Sequence, residues 1–209
     1  MLNRRAFALT LFAVPLFANS ARAARAAVLG PEDQALVDQA ADYLQGLREA
    51  RGRFVQTDAR GNLTRGDVYL KRPGRARFAY DPPSGLLVVA DGSNVSVSNG
   101  QLKTFDRYPL MATPLSLFLA RQIRLDKGIV ITSVRRAADG FTITAKDGSR
   151  KAEGTISLSF SSDPVALTGW TVADAQGQTT HIQLSGFGPA SGLEPGLFVL
   201  KNPRTGTAG

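Results

Sequence analysis

Apolar and polar residues alternate with a period of two in short runs between residues 54 and 184. Phe54 and Gln56 share a face, as do Val68, Leu70 and Arg72, and Ala76, Phe78 and Tyr80. Leu86, Val88 and Ala90 follow, then Val95 and Val97; later come Phe141, Ile143 and Ala145, and Ile156, Leu158 and Phe160. Trp170 and Val172 are placed to pair with Ile182 and Leu184 across a turn at residues 174–177. Strand side chains point to opposite faces in turn, so each run reads as a half-buried strand. Turn signals separate the runs, among them Arg60-Gly61-Asn62, Arg72-Pro73-Gly74, Asp81-Pro82-Pro83, Asn99-Gly100 and Asp163-Pro164. About ten short strands without alternating helices imply a mainly β fold, an antiparallel sheet curled into a barrel or sandwich.

Two segments depart from this rhythm. Gly30-Pro31-Glu32-Asp33 opens a helix, because proline suits the first turn and acids suit its positive end. Leu36, Ala40, Tyr43, Leu44 and Leu47 form one apolar stripe, and Gly52 ends the pattern. At mid-chain, Thr113 is a suitable N-cap and Pro114 a suitable first helical residue for a short apolar helix carrying Leu115, Phe118 and Leu119 on one face. Such a helix must cover the concave side of the sheet or something held there.

The first 26 residues read as an address. Arg4 and Arg5 precede an uncharged, mostly apolar run from Ala6 to Ala18, followed by Ala21-Arg22-Ala23 and Ala24-Arg25-Ala26. This is the layout of a cleaved secretory signal, and the run is too short to span a bilayer, which needs about 20 apolar residues. The paired arginines before Phe7 resemble a twin-arginine signal; the general export route stays open beside it. Residues 1–26 carry Arg4, Arg5, Arg22 and Arg25 and no acid, so the +8 of the full chain becomes +4 without them. That balance does not suit a dedicated polyanion binder, and no nucleic-acid partner is expected. Residues 27–209, with no repeat or linker, read as one domain.

Composition removes most chemistry. There is no cysteine and one histidine, His181, which excludes thiol nucleophiles, thiolate zinc and multi-histidine metal sites. The serines lack a Gly-x-Ser-x-Gly elbow, the glycine-rich stretch at residues 186–196 lacks a phosphate-loop Lys-Ser/Thr, and the acids fall in turns. No catalytic residue, metal or cofactor is expected. The apolar phase of the strands groups Phe54, Val68, Leu70, Phe78, Tyr80, Val88, Leu158, Trp170 and Ile182 on one concave surface. Alternation alone leaves open whether that surface is a solid core or encloses a ligand cavity.

Several short patterns, in order, resemble the periplasmic lipoprotein carrier family LolA. They are Phe54-Val55-Gln56, the Gly-x-x-x-x-Lys-Arg-Pro-Gly of residues 66–74, and the run Arg77-Phe78-Ala79-Tyr80-Asp81-Pro82-Pro83. Val89-Ala90-Asp91-Gly92, Thr113-Pro114-Leu115 and Leu197-Phe198 with Pro203 follow, the last after a Thr-x-Ile-x-Leu strand at residues 180–184. The resemblance spans about residues 30 to 204. It implies an incomplete antiparallel β-barrel of about ten or eleven strands, with short helices forming a lid over a hydrophobic cavity for acyl chains. It implies a monomeric, non-enzymatic periplasmic carrier of acylated lipoproteins. Such a carrier is loaded by an inner-membrane ATP-driven lipoprotein-releasing transporter and unloaded at an outer-membrane acceptor. The Lys-Arg-Pro motif places the family's lid-holding arginine at Arg72, and Thr-Pro-Leu marks the lid helix. Two departures put cavity size in question: Ala76 replaces a bulky apolar residue, and Val95-Ser96-Val97-Ser98 lacks aromatics. They leave room for a lipid-binding module of the same fold, acting as a lipid or glycolipid shuttle or sensor.

Overall fold

Local chemistry sets the elements. The computed structural model describes residues 28–113, 115–121, 129–148, 154–174 and 176–202. The proposed signal at 1–26, Pro114, Arg124, Lys127 and Pro203 lie outside them, as do the side chains of Leu117 and Phe118. Helix α1 (Pro31–Gly46) starts with Pro31 in its first turn beside Glu32 and Asp33. It ends six residues before Gly52. Leu47 is its C-cap, and Gly52 lies inside the first strand, where β-carbon space is filled by the Phe187 backbone. Close strand packing, not helix termination, explains that glycine.

Eleven strands follow: β1 (Glu49–Thr57), β2 (Leu63–Lys71), β3 (Arg75–Tyr80), β4 (Leu86–Asp91), β5 (Asn94–Asn99), β6 (Thr104–Pro109), β7 (Ile129–Arg136), β8 (Gly140–Asp147), β9 (Thr155–Ser162), β10 (Val165–Ala173) and β11 (Thr179–Pro189). A 3-10 turn (Leu110–Ala112) and helix α2 (Leu115–Leu119) lie between β6 and β7, and a second 3-10 turn (Pro195–Phe198) lies near the end. Two of the strands, β6 and β7, are absent from the alternation pattern. The β-branched run at residues 129–132 could have revealed β7; β6 is an exposed edge that buries too little to show a period.

All neighbours are antiparallel, in the order β6-β5-β4-β3-β2-β1-β11-β10-β9-β8-β7. Two meanders are thus joined at β1–β11, and β6 and β7 are left as unpaired edges, so the barrel is incomplete. Bulges at Arg51/Arg53, Leu167/Gly169 and Ile131/Ser133 add the coiling that bends such a sheet round. One apolar cluster consequently joins Val95 of β5, Phe54 of β1, Trp170 of β10 and Ile131 of β7. Helix α1 lays Val37, Ala40 and Leu44 into this concave face. Its first turn is tied to β7 by Arg136, 3.2 Å from Glu32 and 2.7 Å from Asp33.

The convex face has its own cover. Val89, on the opposite phase of β4 from Val88, is buried with Leu193 and Phe198. The C-terminal segment is strapped there by polar contacts. Lys71 Nζ donates to the Leu193 carbonyl at 2.8 Å, the Leu193 N–H donates to Glu49 at 2.9 Å, and Arg77 donates to the Leu197 carbonyl at 3.0 Å. Lys71 also pairs with Glu49 at 2.8 Å.

Candidate functional site

Cross-strand register decides which inward side chains meet. Val68 stands opposite Phe78, Phe78 opposite Val88, Leu158 opposite Trp170, and Trp170 opposite Ile182. The pairing of Val172 differs from the sequence expectation: it faces Thr180, while Leu184 stands opposite Phe54. Antiparallel strands run in opposite directions, so with Trp170 opposite Ile182 the residue two further on, Val172, meets the one two further back, Thr180. Phe54 crosses over Gly66 on β2, where an added β-carbon would lie 2.8 Å from its ring; the glycine makes room for the aromatic. An edge-to-face chain results: Tyr80–Phe54 at 5.0 Å, Phe54–Phe78 at 5.7 Å, Phe78–Trp170 at 5.9 Å.

The nine inward residues divide into two groups. Phe54, Val68, Leu70 and Leu158 are buried in packed core. Phe78, Tyr80, Val88, Trp170 and Ile182 line an open-mouthed cavity of about 280 Å³, walled on one side by Leu115 of α2. Gln56, Thr113, Val172 and Thr180 complete the lining. They were legible in part: Gln56 shares the phase of Phe54, Val172 that of Trp170 and Thr180 that of Ile182. The Tyr80 hydroxyl donates to Gln56 Oε1 at 2.5 Å. Burial pushes the Tyr80 phenol up to about 12, against the opposing pull of the Gln56 hydrogen bond. The cavity therefore presents an uncharged, mainly apolar wall with the Tyr80–Gln56 pair and two threonines in it, which suits hydrocarbon.

Helix α2 roofs this end. Leu119 is buried and Leu115 half-buried. The Thr113 hydroxyl donates back to the Leu110 carbonyl at 2.8 Å, so its side chain closes the preceding 3-10 turn rather than capping α2. The helix is held at its far end by the turn after β2. The Gly74 N–H donates to the Leu119 carbonyl at 2.8 Å, and Arg72 Nη2 donates to the Ala120 carbonyl at 2.6 Å. Gly74 has φ +77°, and a side chain there would strike Gly92. Arg72 lies one residue past β2, its own N–H held by the Arg48 carbonyl at 2.8 Å.

The second fork of Arg72, Nη1, donates to the Leu44 carbonyl at the end of α1. That helix has no basic residue in its last turn, and its Tyr43 and Leu44 carbonyls share the single N–H of Leu47 at 3.1 and 3.2 Å. A guanidinium arriving from another strand supplies both donors and the favourable charge. Burial pulls the Arg72 pKa down, and Arg72 Nε is buried without a partner. One arginine thus ties the ends of two helices to one turn.

Other polar residues serve the frame. His181 is exposed, with Nδ1 2.8 Å from the Thr171 hydroxyl. Asp91 accepts from the Ser93 and Asn94 N–H groups, and Asp174 from those of Gln176 and Gln178, as turn residues do. Among the described residues no three His, Cys, Asp or Glu side chains gather as a metal site, and no helix is long and apolar enough to cross a membrane.

The chain is similar to an outer-membrane lipoprotein carrier protein of Xanthomonas campestris, 31% identical over 162 residues, covering 69% of this chain and 74% of that one. It is 26% identical to the protein of that name from Shewanella amazonensis over 169 residues, covering 78% and 80%. Among solved structures, a LolA superfamily protein of Nitrosomonas europaea superposes with a TM-score of 0.48 at 12% identity, covering 80% of this chain and 97% of that one. The profile described as outer membrane lipoprotein carrier protein LolA matches residues 45–201, from the end of α1 through the C-terminal strap. A match over that span, most of the chain, makes this chain a member of the LolA family.

Proposed function

We propose that the protein is a periplasmic carrier, exported by residues 1–26, that shelters the acyl chains of lipoproteins between the inner and outer membranes. Loading falls to an inner-membrane ATP-driven transporter and unloading to an outer-membrane acceptor. One observation carries the reading: an apolar cavity shares a wall with a short helix whose last carbonyls are held by the Arg72–Gly74 turn. The energetics suit such a task. Burying a methylene contributes about 0.8 kcal/mol, so a 16-carbon chain gains roughly 12 kcal/mol when fully sheltered. At about 280 Å³ the cavity falls just under the range of roughly 300–1,000 Å³ usual for small-ligand pockets. A whole acyl chain therefore requires α2 to move, and the bonds from Arg72 and Gly74 oppose that motion. Their cost is subtracted from cargo affinity and returned on release.

The test is transfer of a labelled acylated lipoprotein from the carrier to acceptor-bearing membranes. The wild type is expected to retain the lipoprotein in solution and pass it on. Arg72→Leu is expected to take it up, hold it more tightly and pass it on at least about tenfold more slowly, the effect of one lost bond of roughly 1.4 kcal/mol. Failure of the wild type to retain acylated lipoprotein would remove the carrier reading. Equal transfer by the two would remove the latch alone.

A further inference from the structure

We propose that the groove on the other side of α2 is a binding site for the phosphate of an anionic phospholipid headgroup, so that the ligands of this carrier include such lipids as well as acylated proteins. The inference rests on the acyl-cavity reading above and extends it. The groove encloses about 720 Å³ and is open to solvent. Its cations are Lys71, Arg72, Arg75 and Arg121, against one carboxylate, Asp91. Lys71 and Arg72 are engaged with Glu49 and with helix-end carbonyls. Asp91 is turned to the Ser93 and Asn94 N–H groups. Arg75 and Arg121 are exposed, and neither side chain has a hydrogen bond or ion pair among the described residues. Two unengaged guanidinium forks in a concavity with a net positive lining match the geometry and charge of a phosphodiester. Leu110 and Leu119 form part of the wall, and a low-dielectric wall strengthens the field of those cations.

The placement selects a lipid over other bearers of phosphate. Helix α2 is the partition between the two spaces: Leu115 faces the apolar cavity, while Ser116 and Leu119 face the groove. A five-residue helix is only about 7 Å long. A molecule with hydrocarbon at one end and an anion at the other can therefore reach both sides around a single turn. An acidic protein segment would need only the groove.

Trp170, the single tryptophan of the chain, lines the cavity and reports hydrocarbon entry. The experiment titrates the purified protein with soluble phosphatidylglycerol and phosphatidylcholine carrying identical short, bromine-labelled chains, and follows Trp170 quenching. Phosphatidylglycerol is expected to bind about tenfold more tightly at low salt, with the gap closing as salt rises. In the Arg75→Gln, Arg121→Gln double variant the two lipids should bind alike, at the wild-type phosphatidylcholine affinity. Both positions are exposed, and an unchanged melting temperature checks the fold. Equal affinity in the wild type, or a preference that survives in the double variant, overturns the proposal. So does competition by glycerophosphoglycerol at micromolar concentration, which would mark a site for free phosphodiester. Tight binding of an acidic peptide to the wild type, lost in the double variant, with equal lipid affinities, would make the groove a protein-docking face instead. Absence of quenching by either lipid would sink the acyl-cavity reading itself.

Discussion

The concave face has two ends, and they are closed differently. At one, the sixteen-residue helix α1 lies on the sheet with Val37, Ala40 and Leu44 almost wholly buried, and Phe141 and Phe160 stack at 5.2 Å beneath. At the other, the five-residue α2 covers Phe78, Tyr80, Trp170 and Ile182 and leaves a cavity. The same kinds of residue make a solid core in one place and a receptacle in the other. The difference lies in the cover: α1 brings a full apolar stripe and is tied to β7 by two ion pairs, whereas α2 is held by main-chain acceptors that one turn supplies with donors. Arg72 touches both covers, which makes it the joint between the two ends.

The largest effect is expected in the packed core directly behind the cavity. Phe54→Ala removes the ring that links Tyr80 to Phe78 and should destabilise the protein by about 3–5 kcal/mol, measured by denaturant unfolding. A loss below about 1 kcal/mol would mean the core there is as loose as the mouth.

The mouth has a pH signature of its own. Folding raises the Tyr80 pKa from about 10 to about 12, so its contribution is whole below pH about 10 and is lost as pH climbs through about 12. The full effect is on the order of 2–3 kcal/mol. Absorbance of phenolate should show a step near pH about 12, and Tyr80→Phe should abolish it. Loss in the variant of a step near the ordinary phenol value of about 10 instead would place Tyr80 in contact with water.

Arg72→Leu sharpens the contrast by loosening one cover. Lost charge-assisted bonds of about 1.5–3 kcal/mol each are partly offset by removal of a desolvated guanidinium, leaving a net cost of about 1–2 kcal/mol. Amide exchange should quicken at α2 and hardly at the centre of α1. Equal quickening along both would show that the two covers open together. The smallest structural effect is expected from Leu115→Trp, which fills the cavity from its half-buried wall. Stability should change by less than about 1 kcal/mol, while acyl uptake falls at least tenfold. Unchanged uptake would put the receptacle elsewhere.

Much of the frame could be read directly. The alternation at Val68–Leu70 and Phe78–Tyr80 named inward residues because a strand with one wet face must alternate. The 129–136 strand was missed because it is apolar on consecutive residues, and β6 because an exposed edge has no buried face to pattern. Val88 and Val89 show the limit. The phase placed Val88 inward, yet Val89 is the more deeply buried, under a C-terminal strap whose landing place no local pattern encodes. Depth of burial therefore does not mark the cavity: Ile182 lines it and is as buried as the core residue Leu158.

The amino-acid order alone determined the class of fold, the turns and the set of side chains on the concave face, because pleat and turn chemistry are local. Only the tertiary structure decided which of those side chains are core and which line a cavity. It also decided that the donors of Arg72 end on Ala120 and Leu44, and that Arg75 and Arg121 share a groove. Those outcomes depend on register across eleven strands and on where two helices come to rest, and both are set by contacts between residues far apart in the chain.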